Sequence, residues 1–124
     1  MLATEPAHTP VSFIISEYQK RGDFLFGLSF EDGKLMVHLC EEIDHHSVSS
    51  MRSRIDLEIK QNIPSEVILD FGDVSFMDSS GIGLIMGRCR IMNEIGGVVK
   101  IKDASEQIRK IFRLSGIDRI TKEY

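Results

Sequence analysis

The chain has 124 residues, 42% of them hydrophobic and 27% charged, with no Trp; this is enough for one domain with a real core and describes an ordinary globular composition. A formal net charge of −4 argues against a general nucleic-acid binder, because phosphate backbones demand a concentrated basic face, and points to protein partners instead. The start, Met1-Leu2-Ala3-Thr4-Glu5-Pro6, has neither the basic end nor the apolar core of a signal peptide, and no apolar run approaches the roughly 18 residues of a membrane span, so a cytoplasmic protein is expected.

Residues 1–10, with Pro6 and Pro10, read as a loose tail, and residues 11–20, with Phe13, Ile14 and Tyr18 at helical offsets, could form a short amphipathic helix. Together they make an N-terminal extension over residues 1–22, ahead of a domain at residues 23–124. Residues 24–30 read as a strand, Glu31-Asp32-Gly33-Lys34 as a hairpin turn and residues 35–40 as the returning strand. Glu41-Glu42-Ile43-Asp44-His45-His46 follows as a polar loop. Ser47 can cap a helix to Lys60 with Val48, Met51, Ile55 and Ile59 as its apolar stripe, ended at Asn62-Ile63-Pro64.

Residues 67–71 are apolar almost throughout, as a parallel strand covered on both faces should be, and a helix joins them to the preceding strand. The run then stops at Asp78-Ser79-Ser80-Gly81 and restarts with helical spacing to Ile95, where Gly96 ends it; residues 98–101 form the next strand. Ser105 caps a shorter helix to Leu114, Gly116 ends it, and residues 117–124 give one last strand. The order ββαβαβαβ describes an α/β fold, a mixed sheet with helices packed on it.

The Asp-Ser-Ser-Gly junction has defined chemistry. The first N–H groups of a helix lack intrahelical acceptors and carry partial positive charge, so a negative group gains about 0.3–1 kcal/mol there. Asp78 is the natural N-cap and Ser79 the first helical residue. A phosphate on Ser79 would meet free amides while adding about −1.5 to −2 charge beside Asp78. The helix would tolerate that charge; a docked partner would oppose it.

Phe76-Met77-Asp78-Ser79-Ser80-Gly81-Ile82-Gly83, with Gly87-Arg88, Ile95-Gly96-Gly97 and residues 111–117, Ile-Phe-Arg-Leu-Ser-Gly-Ile, resembles the anti-sigma factor antagonists, single STAS-domain proteins, most of all their sporulation type. The resemblance implies the STAS fold, which agrees with the order of elements read above. It also implies phosphorylation of the first serine, Ser79, by an anti-sigma factor that is itself a kinase, and removal of the phosphate by a serine phosphatase. Glu42-Ile43-Asp44 is similar to the family's Gly-Glu-apolar-Asp loop, which lies beside the phosphorylated serine and contributes to partner binding. Glu41 stands where the family has glycine, a substitution that matters if the backbone needs positive φ there. Family members usually continue into a helix after the last strand, whereas this sequence runs to Tyr124.

On a helical wheel Leu84, Ile85, Ile91, Met92 and Ile95 form the face on the sheet, and Ile82, Met86 and Cys89 a neighbouring shoulder that either joins a docking surface or widens the core contact. Gly83 and Gly87 lie four apart away from that face, each costing about 1 kcal/mol of helix propensity, which suggests close approach of another backbone, the protein's own or a partner's. Their spacing is not that of a dinucleotide-binding loop, and no Gly-Lys-Ser/Thr follows. Asp44-His45-His46 has no third or fourth metal ligand nearby, and Met77-Asp78-Ser79-Ser80-Gly81 lacks the first glycine of a hydrolase elbow. Neither metal, cofactor nor catalysis is expected. Arg109, Lys110 and Arg113 on the third helix offer an anionic partner a site but read better as a solvated face, and Cys40 and Cys89 read as free buried thiols.

The reading is therefore a phosphorylation-controlled binding protein. Its site residues are Ser79 for phosphorylation and Glu42, Asp44, Asp78, Ser80, Ile82 and Met86 for the partner, with Ser75 and Ser80 as competing phosphate acceptors. The alternative is a STAS module that senses a small ligand or assembles signalling complexes, with Ser79 structural.

Overall fold

The structure, a computed structural model, describes the backbone of residues 13–19 and 24–124 and the side chains from Phe26 onward. The tail expected at residues 1–10 and the boundary expected between residues 22 and 23 lie outside the described residues.

Among the described residues, six strands form one sheet. The strands β1 (Phe13–Gln19), β2 (Phe24–Glu31) and β3 (Lys34–His38) are antiparallel neighbours. The turn between β2 and β3 places Asp32 and Gly33 at positive φ, as the Asp-Gly pair anticipates. Next to β3 come β5 (Glu66–Asp70), β7 (Val98–Lys102) and β8 (Lys122–Glu123), all parallel. The expected mixed α/β sheet is thus present.

The helices among the described residues are α1 (His45–Asn62), α2 (Ser79–Glu94), α3 (Glu106–Ser115) and the single turn α4 (Ile117–Ile120). All four contribute to one core with Leu28, Leu35, Val37, Val67, Leu69, Val99 and Ile101 of the sheet. Those strand residues alternate in sequence, so they share a face and the helices lie on it. The opposite face carries the registered row Ser29, Met36, Ile68 and Lys100, of which only Ile68 is buried. The central strand β5 is covered on both faces as expected, with Val67, Ile68 and Leu69 all buried, whereas its neighbours Met36 and Lys100 on the face away from the helices are only partly covered.

Several local expectations are corrected. Residues 13–19 are a strand, not a helix: Phe13, Ile14, Ile15 and Tyr18 suit a pleated surface, and all seven residues pair in register with β2, from Phe13 opposite Phe30 to Gln19 opposite Phe24. Asp44, not Ser47, caps α1. Its Oδ1 accepts from the His46 and Ser47 amides at 2.9 and 3.0 Å, while Ser47 Oγ accepts from the Asp44 amide at 3.1 Å, closing a capping box. Residues 117–124 are not one strand, because buried Ile117 winds into α4 before Lys122 and Glu123 join β7. Ile95 is exposed at the C-terminal end of α2 rather than on its sheet-facing stripe, whereas Leu84, Ile85 and Met92 are buried.

Candidate functional site

Two very short strands, too brief to leave a periodic trace in sequence, build the site. They are β4 (Glu42–Ile43) and β6 (Phe76–Met77), and they pair in parallel, Glu42 opposite Phe76 and Ile43 opposite Met77. Below them the Ser75 amide donates to the Glu41 carbonyl at 2.8 Å, and above them the Asp78 amide donates to the Ile43 carbonyl at 3.0 Å. This zipper brings two chain reversals side by side, and each opens into a helix capped by an aspartate: Asp44 for α1, Asp78 for α2. Glu42, Asp44, Asp78 and Ser79 are thereby gathered at the end of the sheet where its parallel strands leave off.

Asp78 Oδ1 accepts from the Ser80 amide at 2.8 Å, so Ser79 is the first residue of α2 and Ser80 the second. Ser79 is exposed and, among the described residues, its hydroxyl has no hydrogen-bond partner; Ser80 is half-buried and its amide is committed to the cap. Ser75 is exposed too, but its hydroxyl donates to the Glu41 carbonyl at 3.4 Å. Of the three serines, Ser79 alone combines exposure with an unpartnered hydroxyl at the helix N-terminus, where phosphate charge is accommodated best; the Ser80 hydroxyl is also unpartnered among the described residues but half-buried.

Gly81 is demanded by contact. A Cβ there would fall within the Met77 side chain and lie 3.1 Å from Ile43 Cγ2, so the glycine lets the first turn of α2 press on both short strands. Gly83 and Gly87 differ: a Cβ at either would meet nothing within 4 Å among the described residues. The close approach that their helix cost suggests is not made by the described part of this chain. They share the outward side of α2 with exposed Ser79, Met86 and Arg90. Ile82 and Cys89 instead are partly buried against the core, which favours core widening for that part of the shoulder.

Glu41 does not take positive φ, so no glycine is needed at its position; among non-glycine residues only Asp32, Ile63 and Asp103 do so among those described. Glu41 and Glu42 are exposed, and with half-buried Asp44 and Asp78 they make the rim of the site acidic. The amides of Ser47 and His46 hold the Asp44 carboxyl below the usual carboxylate range, the Ser47 amide acting most strongly. Phe76, on β6 at the same rim, is 51% exposed, a large aromatic surface that the sequence reading passed over.

The remaining candidates are placed as follows. His45 and His46 stack edge to face in the first turn of α1, and neither hydrogen-bonds Ser79 among the described residues. Arg109 grips Glu123 through two bonds of 2.7 and 3.1 Å, and Arg113 bonds Glu106 at 2.8 Å, so both guanidinium groups are engaged by the protein's own carboxylates. Burial pushes the Cys89 thiol up to about 11, and Cys40 is buried against Met51. Among the described residues, no helix is long and apolar enough to cross a membrane.

The STAS domain profile matches residues 28–124. An anti-sigma F factor antagonist of Paenibacillus polymyxa is 33% identical over 92 residues, spanning 74% of this chain and 79% of that protein. The solved structure of the anti-sigma factor antagonist SpoIIAA in its unphosphorylated form superposes with a TM-score of 0.66 at 34% identity, covering 73% of this chain and 79% of that one. That of the Bacillus cell fate determinant SpoIIAA in its phosphorylated form gives 0.61 at 34% identity, covering 74% and 83%. With the family profile spanning most of the sequence, and relatives of this identity aligned over most of their length, the chain belongs to the STAS-domain family, and the anti-sigma factor antagonists are its relatives.

Proposed function

We propose that this protein is an anti-sigma factor antagonist of the cytoplasm, without catalytic activity of its own, that works by reversible docking. In its unphosphorylated form it binds an anti-sigma factor protein kinase and so releases the sigma factor that the kinase holds. The kinase phosphorylates Ser79, the complex dissociates, and a serine phosphatase restores the binding form. Antagonist relatives, one of them solved in both an unphosphorylated and a phosphorylated form, support this reading.

The observation that carries it is the free Ser79 hydroxyl on the first residue of α2, at the head of an outward face containing Gly83, Met86 and Gly87 and beside exposed Phe76. Phe76 and Met86 supply apolar anchors, and the open glycines let a partner's backbone come close. Ile82 supports that face from beneath, while Asp78 and Ser80 hold the serine in place. Glu42 and Asp44 form the acidic rim. Phosphate added within that rim concentrates negative charge in what would become a desolvated interface, where like-charge juxtaposition costs several kcal/mol and each ~1.4 kcal/mol is tenfold in affinity. No refolding is needed.

Incubation with the cognate kinase and ATP, followed by mass spectrometric mapping of the phosphate, tests the assignment. The label is expected on Ser79 and is expected to vanish in Ser79→Ala, which should still bind the kinase. Label on Ser75 or Ser80 in the unaltered protein would overturn it.

A further inference from the structure

Away from Ser79, the C-terminal ends of three neighbouring parallel strands carry a charged cluster to which the docking scheme assigns no role. His38 closes β3, Asp70 closes β5 opposite it in register, and Lys102 closes β7 opposite Asp70. His38 Nδ1 lies 3.2 Å from Asp70 Oδ2, and its Nε2 lies 2.8 Å from Asp73 Oδ2, in the loop that runs from β5 to β6. An ionised carboxylate only accepts, and a neutral imidazole has one N–H to give, so a ring that meets a carboxylate at each nitrogen uses both donors of the imidazolium.

The two carboxylates are not held equally. Asp70 is mostly buried; its Oδ1 accepts from the Gly72 amide at 2.9 Å, and its Oδ2 also lies 3.8 Å from Lys102 Nζ. Lys102 in turn reaches Asp103 Oδ2 at 2.9 Å. Asp73 is exposed and, among the described residues, has only His38 as its side-chain partner. Loss of the imidazole proton therefore leaves Asp70 with two other donors and Asp73 with a contact it no longer shares with a cation. From Asp73 the chain passes through buried Val74 to Ser75 and Phe76, whose amides both reach the Glu41 carbonyl, and then to Asp78 and Ser79.

We propose that His38 is a proton-operated clasp, bridging Asp70 and Asp73 as a cation when protonated and, when neutral, donating to only one of them without charge, that sets how firmly the loop feeding the Phe76 and Ser79 face is held. The clasp concerns the loop itself and does not depend on what docks there. The charged groups facing the ring are Asp70 and Asp73, with Lys102 and Asp103 behind Asp70. Partial burial disfavours the charged ring, but the two carboxylates outweigh it, and the His38 pKa is raised above its ordinary 6.5. A raised pKa means that the clasp's contribution is complete below about pH 6.5 and is lost as pH rises through the folded-state value.

NMR on the full chain from about pH 5.5 to about pH 8.5 tests it. In the unaltered protein the His38 ring should titrate above 6.5, and the Val74 and Ser75 resonances should follow with the same midpoint. Asp73→Asn should lower that midpoint, and His38→Gln should abolish the loop response. Thermal unfolding gives a second reading: His38→Gln should lower the folding equilibrium constant about two- to fivefold more at pH 6 than at pH 8.5, the range expected of an exposed ion pair. A His38 midpoint at or below 6.5, or loop resonances that ignore it, would overturn the clasp.

Discussion

Ser79 owes its suitability to its neighbours more than to its own chemistry. A serine hydroxyl is a common surface group, but here Asp78 fixes the start of α2 by accepting from Ser80, leaving Ser79 exposed with its hydroxyl uncommitted. Charge added at that residue lies at the favourable end of the helix dipole, so Ser79→Asp should change folding stability by less than about 1 kcal/mol, and in the stabilising direction if at all; thermal denaturation checks this. Asp44 does equivalent service for α1, taking two amides with a carboxyl that they keep ionised to lower pH than usual. Asp44→Ala should cost about 1 kcal/mol in urea unfolding at neutral pH. That loss should shrink in acid, because a depressed carboxyl pKa contributes stability that disappears as pH falls through the folded value. The role of Asp78 as cap was legible from the sequence, since Asp followed by Ser-Ser and an apolar helical pattern is a start signal. That of Asp44 was not, because Ser47, three residues on, carries the same signal and only the geometry separates a cap from its capping-box partner.

Element α2 carries a contradiction between propensity and packing that the proposed partner would resolve. Gly83 and Gly87 each weaken a helix they do nothing to pack within the described chain. Replacing either with Ala should raise unfolding free energy by about 0.5–1 kcal/mol, and the added methyl groups should weaken binding to the anti-sigma factor; urea melts and titration calorimetry on the same variants read both effects. Stabilisation without loss of binding would separate the glycines from the docking face. Long elements with a strong period, α1, α2 and α3, were readable from sequence because burial of one face dictates their pattern, and β5 was readable from its unbroken apolar run. Short β4 and β6 were not: two residues have no period, and what makes them strands is their pairing with each other. For β1 a signal was present, a run of aromatic and β-branched residues separated from Phe24 by residues 20–23, with Gly22 among them, which is hairpin spacing.

At the scale of the whole molecule, the mixed sheet puts both aspartate-capped helix starts at one end and, among the described residues, leaves one face without helices. Because β1 lies at the edge of that sheet and the STAS profile begins only at residue 28, we propose residues 23–124 as the functional domain, with β1 as an added edge strand. A chain shortened to residues 23–124 should therefore melt cooperatively, at a lower temperature than the full chain, and retain partner binding within a few-fold; loss of binding would make the extension part of the docking surface. In the proposed scheme the acidic rim and the exposed Phe76 act through assembly with another protein, so the central claim is best tested on the complex. Isothermal titration of the anti-sigma factor kinase with this protein, before and after stoichiometric phosphorylation at Ser79, is that measurement. The account predicts at least a hundredfold weaker binding after phosphorylation, equivalent to about 2.7 kcal/mol, whereas equal affinity for the two forms would contradict it.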